Sequence, residues 1–173
     1  MASTTAGYYV ARAIVALLVF SSAAEAGDPV RGERLFRITR NKNDNIVCYD
    51  VAQKTGKLEK TEPVSVYWMI PSEKDKLEGL NFVERNRAYG ISIEKMFGQD
   101  SVDIKLEAGD SPIRVTMRGS RWVALVTLDS REAAIDSIYV MADEAGIMPA
   151  VQWVDVLGHY TATGEPARKR ITK

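Results

Sequence analysis

Few residues in this sequence have the chemistry to act on another molecule. His159 is the single imidazole and Cys48 the single thiol. A typical structural zinc site, which needs four Cys or His ligands, is therefore excluded. Together the two residues hold the elements of a nucleophilic dyad. Their surroundings point elsewhere: Cys48 stands in Asn45-Ile46-Val47-Cys48-Tyr49-Asp50-Val51, where a small buried hydrophobe fits. His159 stands in Val156-Leu157-Gly158-His159-Tyr160, where a hydrogen-bonded strand histidine is the plainer reading. Asn41-x-Asn43-x-Asn45 sets oxygens at the first, third and fifth positions of a calcium-type loop. The sixth position is Ile46 instead of Gly and the twelfth is Ala52 instead of Glu, so an Asn-rich turn is the better account. The sequence contains no G-x-S-x-G elbow, no phosphate loop and no G-x-G-x-x-G. No metal and no cofactor is expected, and no catalytic residue is assigned.

Binding chemistry is better represented. In Arg87-x-Tyr89 an extended backbone would bring a guanidinium and a phenol to one face, an arrangement able to clamp a carboxylate. Arg85 lies just before it, and Glu84 is the carboxylate nearest to this basic pair. Tyr49, Tyr67 and Trp68 are the aromatic residues that could line a pocket with Tyr89. The expected ligand-binding set is thus Tyr49, Tyr67, Trp68, Arg85, Arg87 and Tyr89.

Positioning these side chains falls to strands. Ser101-Val102-Asp103-Ile104-Lys105-Leu106-Glu107 and Ile113-Arg114-Val115-Thr116-Met117-Arg118 alternate apolar and polar residues, as half-buried antiparallel strands do. Further strands are expected over Leu35 to Arg40, Asn45 to Ala52, Val64 to Ile70, Tyr89 to Met96, Trp122 to Leu128, Ile135 to Ala142 and Val151 to Thr161, runs rich in Val, Ile, Tyr and Trp. Turn signals at 41–44, Thr55-Gly56, Ala108-Gly109-Asp110, Arg118-Gly119-Ser120 and Glu144-Ala145-Gly146 separate them. Connections this short imply antiparallel neighbours. Ser72 to Arg87 lacks alternation. Leu77, Leu80 and Val83 recur at helical spacing there, giving a long connection with one short helix.

The fold expected is all-β: an antiparallel meander of about nine strands, closed or partly closed into a lipocalin-like barrel, with a two-sheet sandwich as the alternative. Two strands are apolar on both faces: Val64, Val66, Trp68 and Ile70 against Tyr67 and Met69, and Trp122, Ala124, Val126 and Leu128 against Val123 and Leu125. Each must be covered on both sides or line a cavity.

Composition sets the remaining bounds. The chain has 173 residues, 46% of them hydrophobic, enough for one domain with a real core. Lys plus Arg and Asp plus Glu number 23 each, so no global charge favours nucleic acid or an anionic membrane. Arg12, the apolar run Ala13 to Phe20 and Ala24-Glu25-Ala26 form a signal-peptide pattern with the cut after Ala26. The apolar run is too short for a spanning anchor. The expected organisation is a leader over 1–26, a β domain over 27–166 and a flexible basic tail over 167–173. The mature protein is expected to be exported and periplasmic, with no stable membrane insertion.

Leu35-Phe36-Arg37-Ile38-Thr39-Arg40-Asn41-Lys42-Asn43, followed by Asn45-Ile46-Val47-Cys48-Tyr49, resembles the opening of an uncharacterised family of bacterial exported proteins, a domain of unknown function. Pro63-Val64-Ser65-Val66-Tyr67-Trp68 and Phe82-Val83-Glu84-Arg85-Asn86-Arg87-Ala88-Tyr89-Gly90 are similar to its middle motifs. The resemblance spans nearly the whole mature chain and implies export and a bacterial source; it carries over no activity and no site residue. By analogy from barrel folds, the leading functional expectation is a carrier of a small apolar or amphipathic molecule. The alternatives are an envelope module that binds a protein partner through a sheet edge, and a hydrolase with an unrecognised carboxylate site. An aromatic pocket would favour the first, a solid core with a bare edge strand the second, and two carboxyls converging with His159 the third.

Overall fold

The computed structural model describes residues 32–143 and 150–172. The leader, its cut after Ala26 and the turn at Glu144-Ala145-Gly146 lie outside the described residues. The described residues form thirteen strands: β1 (Arg34–Arg40), β2 (Ile46–Val51), β3 (Gln53–Lys54), β4 (Lys57–Leu58), β5 (Val64–Ile70), β6 (Lys76–Gly79), β7 (Ile91–Phe97), β8 (Ser101–Leu106), β9 (Ile113–Arg118), β10 (Arg121–Leu128), β11 (Arg131–Asp143), β12 (Ala150–Tyr160) and β13 (Pro166–Thr172). Among the described residues the single α-helix, α1, runs over Phe82–Arg87. All nine expected strands are present, and the fold is all-β with a curled half-barrel sheet.

β11 is the branch point of the sheet. Arg131 to Ala134 pair antiparallel with β10. Ser137 to Val140 pair in parallel with Arg37 to Arg40 of β1. The other edge of β11 is occupied by β12, which carries β13. Two arms leave this junction, β1-β2-β5-β6 and β10-β9-β8-β7. Each is an antiparallel meander, as the short turns require. The parallel β1–β11 pair that joins them is the departure from a simple meander.

The core lies between the arms. Phe36, Val47, Tyr49 and Val51 from one arm meet Val102, Ile104, Val115 and Ala124 from the other. Phe36 stacks on Tyr49 with ring centroids 4.3 Å apart. At one end the β3–β4 hairpin caps the core with Leu58, tied down by a bond from the Leu58 amide to the Gln99 carbonyl (2.9 Å). At the other end β6 and β7, the two ends of the strand path, are joined by residues 80–90, which carry α1 across the seam.

Two expectations are corrected. The basic C-terminal segment is no flexible tail: Pro166–Thr172 forms β13, in register with Trp153 to His159 of β12. Its charge disguised it, because only Ala167 is buried while Arg168 and Arg170 both bond Asp155 on the facing strand. The helix is also shorter than the Leu77–Leu80 spacing implied. Leu77 belongs to β6, paired with Met69, and α1 begins after the cap at Asn81.

Candidate functional site

β1 ends in Arg40, and period-two alternation aligns Arg40 with Phe36 and Ile38, on the core side. Asn41 then holds the strand end. Its side-chain NH2 donates to the Ala142 carbonyl, and its oxygen accepts from the Ala142 amide, both at 3.0 Å. Asn43 accepts from the Asn45 amide at 3.2 Å, which tightens the turn. Two of the three Asn side chains are thus engaged with backbone, as the turn reading requires.

α1 is fixed by a capping box. The Glu84 amide donates to Asn81 Oδ1 (2.9 Å), and the Asn81 amide donates to Glu84 Oε2 (3.0 Å). The amides of Ala88, Tyr89 and Gly90 all turn toward the Glu84 carbonyl. A Cβ at Gly90 would sit 1.7 Å from the Arg85 carbonyl oxygen, so only glycine lets the chain pass the helix end. This tight exit directs Tyr89 inward. Its ring meets Trp68 edge-on with centroids 5.1 Å apart, and its carbonyl accepts from the Tyr49 hydroxyl (2.6 Å). Burial raises the Tyr49 phenol well above its ordinary value, so it stays a neutral donor.

These elements leave a cleft of about 250 Å³ at the seam, lined by Arg40, Asn45, Trp68, Ile70, Glu78, Gly79, Asn81 and Glu84. The Arg40 guanidinium lies 5.2 Å from the Trp68 ring centre and its Nη1 donates weakly to the Tyr89 hydroxyl (3.5 Å). Its Nε is buried and has no acceptor. Among the described residues no carboxylate pairs with it. Glu78 bonds Lys76 (2.7 Å), and Glu84 spends one oxygen on the cap. A larger concavity of about 340 Å³ lies at the β3–β4 end, lined by the exposed Lys54, Lys57 and Lys60 with no aromatic wall.

The sequence-derived residues divide between several places. Trp68 lines the cleft and Tyr89 packs on it, while Tyr49 supports Tyr89 from the core. Tyr67 faces the opposite side of β5, where its hydroxyl donates to Asp50 (2.6 Å) beside Arg34. Arg85 is exposed, 3.9 Å from Glu62. Arg87 is exposed in the last turn of α1, so the extended Arg87-x-Tyr89 geometry does not occur. The guanidinium beside Tyr89 belongs to Arg40. The sequence did hold a signal for it, since Arg40 interrupts the apolar face that Phe36 and Ile38 begin. Cys48 is buried, and burial pushes its thiol up, against a role as nucleophile. His159 is exposed on β12, 3.4 Å from Asp136, and the cleft does not include it.

No curated protein and no solved structure matches the chain. The segments that build the cleft do have relatives: the end of β1 with its Asn turn, the β5 strand that presents Trp68, and the α1 segment that presents Tyr89 all lie within residues 36–170. Over those residues the sequence matches the family described as Domain of unknown function (DUF4833), and the chain belongs to that family.

Proposed function

We propose that this chain is an exported binding protein that takes a small amphipathic molecule with an anionic group in the seam cleft. The observation that carries this reading is Arg40: a guanidinium packed over Trp68, with a buried Nε and no carboxylate partner. Buried polar groups are normally satisfied, and a ligand carboxylate would supply the missing counter-charge to the Arg40 guanidinium while Trp68 and Ile70 receive its apolar part. The cleft volume falls below the range of roughly 300–1,000 Å³ usual for drug-sized ligands, so the ligand is small.

Native mass spectrometry of the chain purified gently from its own envelope tests this. A bound small molecule retained by Arg87→Ala and lost by Arg40→Ala is the expected result. A clean mass, or an adduct indifferent to Arg40, overturns the reading.

A second reading, a protein-interaction module, is favoured by β13. Among the described residues this strand pairs only with β12, leaving an edge to which another strand could add. Its Pro166, Arg168, Lys169 and Arg170 are also the residues that guard edges against self-pairing. Crosslinking in the envelope through β13 separates the two.

A further inference from the structure

Resting on that reading, the charges of the cleft carry the argument one step further. Arg40 is not the only ionic group there, because Glu78 and Glu84 line the same cleft. Lys76 bonds Glu78 but is shared with Glu73, so one ammonium faces two carboxylates and the Glu78 end keeps negative charge. Glu84 has no ion-pair partner among the described residues, and its Oε1 is not used in the cap. A simple carboxylate drawn to Arg40 would therefore face an uncompensated glutamate across the cleft. A ligand with a cationic group would satisfy both ends. Asn45 and Asn81 add amide groups suited to the polar part of such a molecule, and Trp68 and Ile70 form the apolar wall.

We infer that the cleft ligand is a zwitterion of amino-acid size, an amino-carboxylate whose carboxylate meets Arg40 and whose ammonium meets Glu84 and Glu78. The two recognition elements come from separate parts of the chain: Arg40 from the end of β1, and the glutamates from β6 and α1 on either side of residues 80–81. Charge-assisted bonds at both ends set the preference. Removing either ligand charge leaves one protein charge without its counterpart in a partly closed site.

The test uses the intact chain and a panel of free α-amino acids, read by thermal unfolding and then calorimetry. For each binder, the desamino acid and the decarboxylated amine are compared with it. A binder at saturating concentration is expected to raise the melting temperature by about 2–4 °C. The amino acid is expected to bind roughly tenfold or more tightly than either single-charge counterpart. The double variant Glu78→Gln, Glu84→Gln keeps a side chain able to cap the helix, and is expected to lose the preference over the desamino acid. Two outcomes overturn the inference. If desamino acids bind as well as amino acids and need Arg40, the zwitterion is wrong and the anionic-ligand reading stands. If nothing in the panel binds in an Arg40-dependent way, the zwitterion is wrong, and the anionic-ligand reading falls with it only if native mass spectrometry also finds no Arg40-dependent adduct.

Discussion

Arg34 and Arg40 stand at opposite ends of one strand, and each has a tyrosine hydroxyl and the face of an aromatic ring beside it. Arg34 bonds the buried Asp50 and reaches the Tyr67 hydroxyl (3.2 Å), with its guanidinium 5.9 Å from the Tyr67 ring centre. Arg40 reaches the Tyr89 hydroxyl and lies over Trp68, but has no carboxylate. The two share strand parity, yet they lie on opposite faces. A bulge between Arg34 and Phe36 lets both Leu35 and Phe36 enter the core and turns Arg34 to the outer face, opposite Asp50. The contrast shows how one strand can hold a finished ion pair at one end and an unfinished one at the other. A completed Arg–Asp–Tyr group stabilises the fold, and a guanidinium left short of its acceptor is available to a ligand.

Identical substitutions at the two ends should break this symmetry. Arg34→Met leaves the Asp50 carboxylate buried without its cation, and is expected to cost about 3 kcal/mol in denaturant unfolding. Arg34 is partly exposed, which keeps the cost below that of breaking a fully buried pair. An equal loss from Arg40→Met would show that Arg40 is structural and erase the distinction.

The Asp155 cluster sharpens the comparison, since it is a second completed pair. Hydrogen bonds from Arg170, then Arg168, hold its carboxyl down to about 2, against an opposing effect of burial. Because the folded value lies below the ordinary 3.8, its stabilising effect is complete above that pH. It is lost as pH falls toward about 2. Asp155→Asn should therefore release β13 at neutral pH, seen as faster amide exchange over 166–172. It should also remove part of the acid sensitivity between pH 4 and 2 that the parent shows.

Arg40→Met is expected to change stability by less than about 1 kcal/mol. The side chain forms no ion pair among the described residues, and Met keeps contact with Trp68 in place of a cation–π contact of similar size. Ligand binding should vanish in the same variant, which separates function from stability. The smallest effect concerns the phenols. Burial, then the bond to Asp50, raises Tyr67 to about 12, so its neutral form is favoured in the folded state. That contribution is present below pH 10 and lost as pH rises through about 12, and an ultraviolet phenolate titration should contain a late component near pH 12 that Tyr67→Phe removes.

Much of the fold was legible because period two is a local property. Val102 and Ile104 in β8, or Ile113 and Val115 in β9, alternate with polar neighbours and reveal a strand without reference to anything distant. β6 and β13 escaped that reading. Lys76 to Gly79 is short and charged, and the basic residues of β13 are accommodated only because Asp155 lies across the ladder. The site was half legible. Trp68 and Tyr89 stood out as aromatic residues in strand-like runs, but their guanidinium was sought at Arg87, two residues away, and came from Arg40, 49 residues away.

The sequence by itself determined the all-β class, the nine principal strands and the turns that lie among the described residues, since these follow from side-chain alternation and from residues that favour turns. Tertiary structure alone decided the parallel joining of β1 to β11, the face on which Arg34 lies, and the meeting of Arg40 with Trp68, Tyr89 and Glu84. Those outcomes depend on a bulge, a helix exit past Gly90 and pairing between strands far apart in the chain. No local pattern encodes them, because the partners become neighbours only when the arms close on their common core.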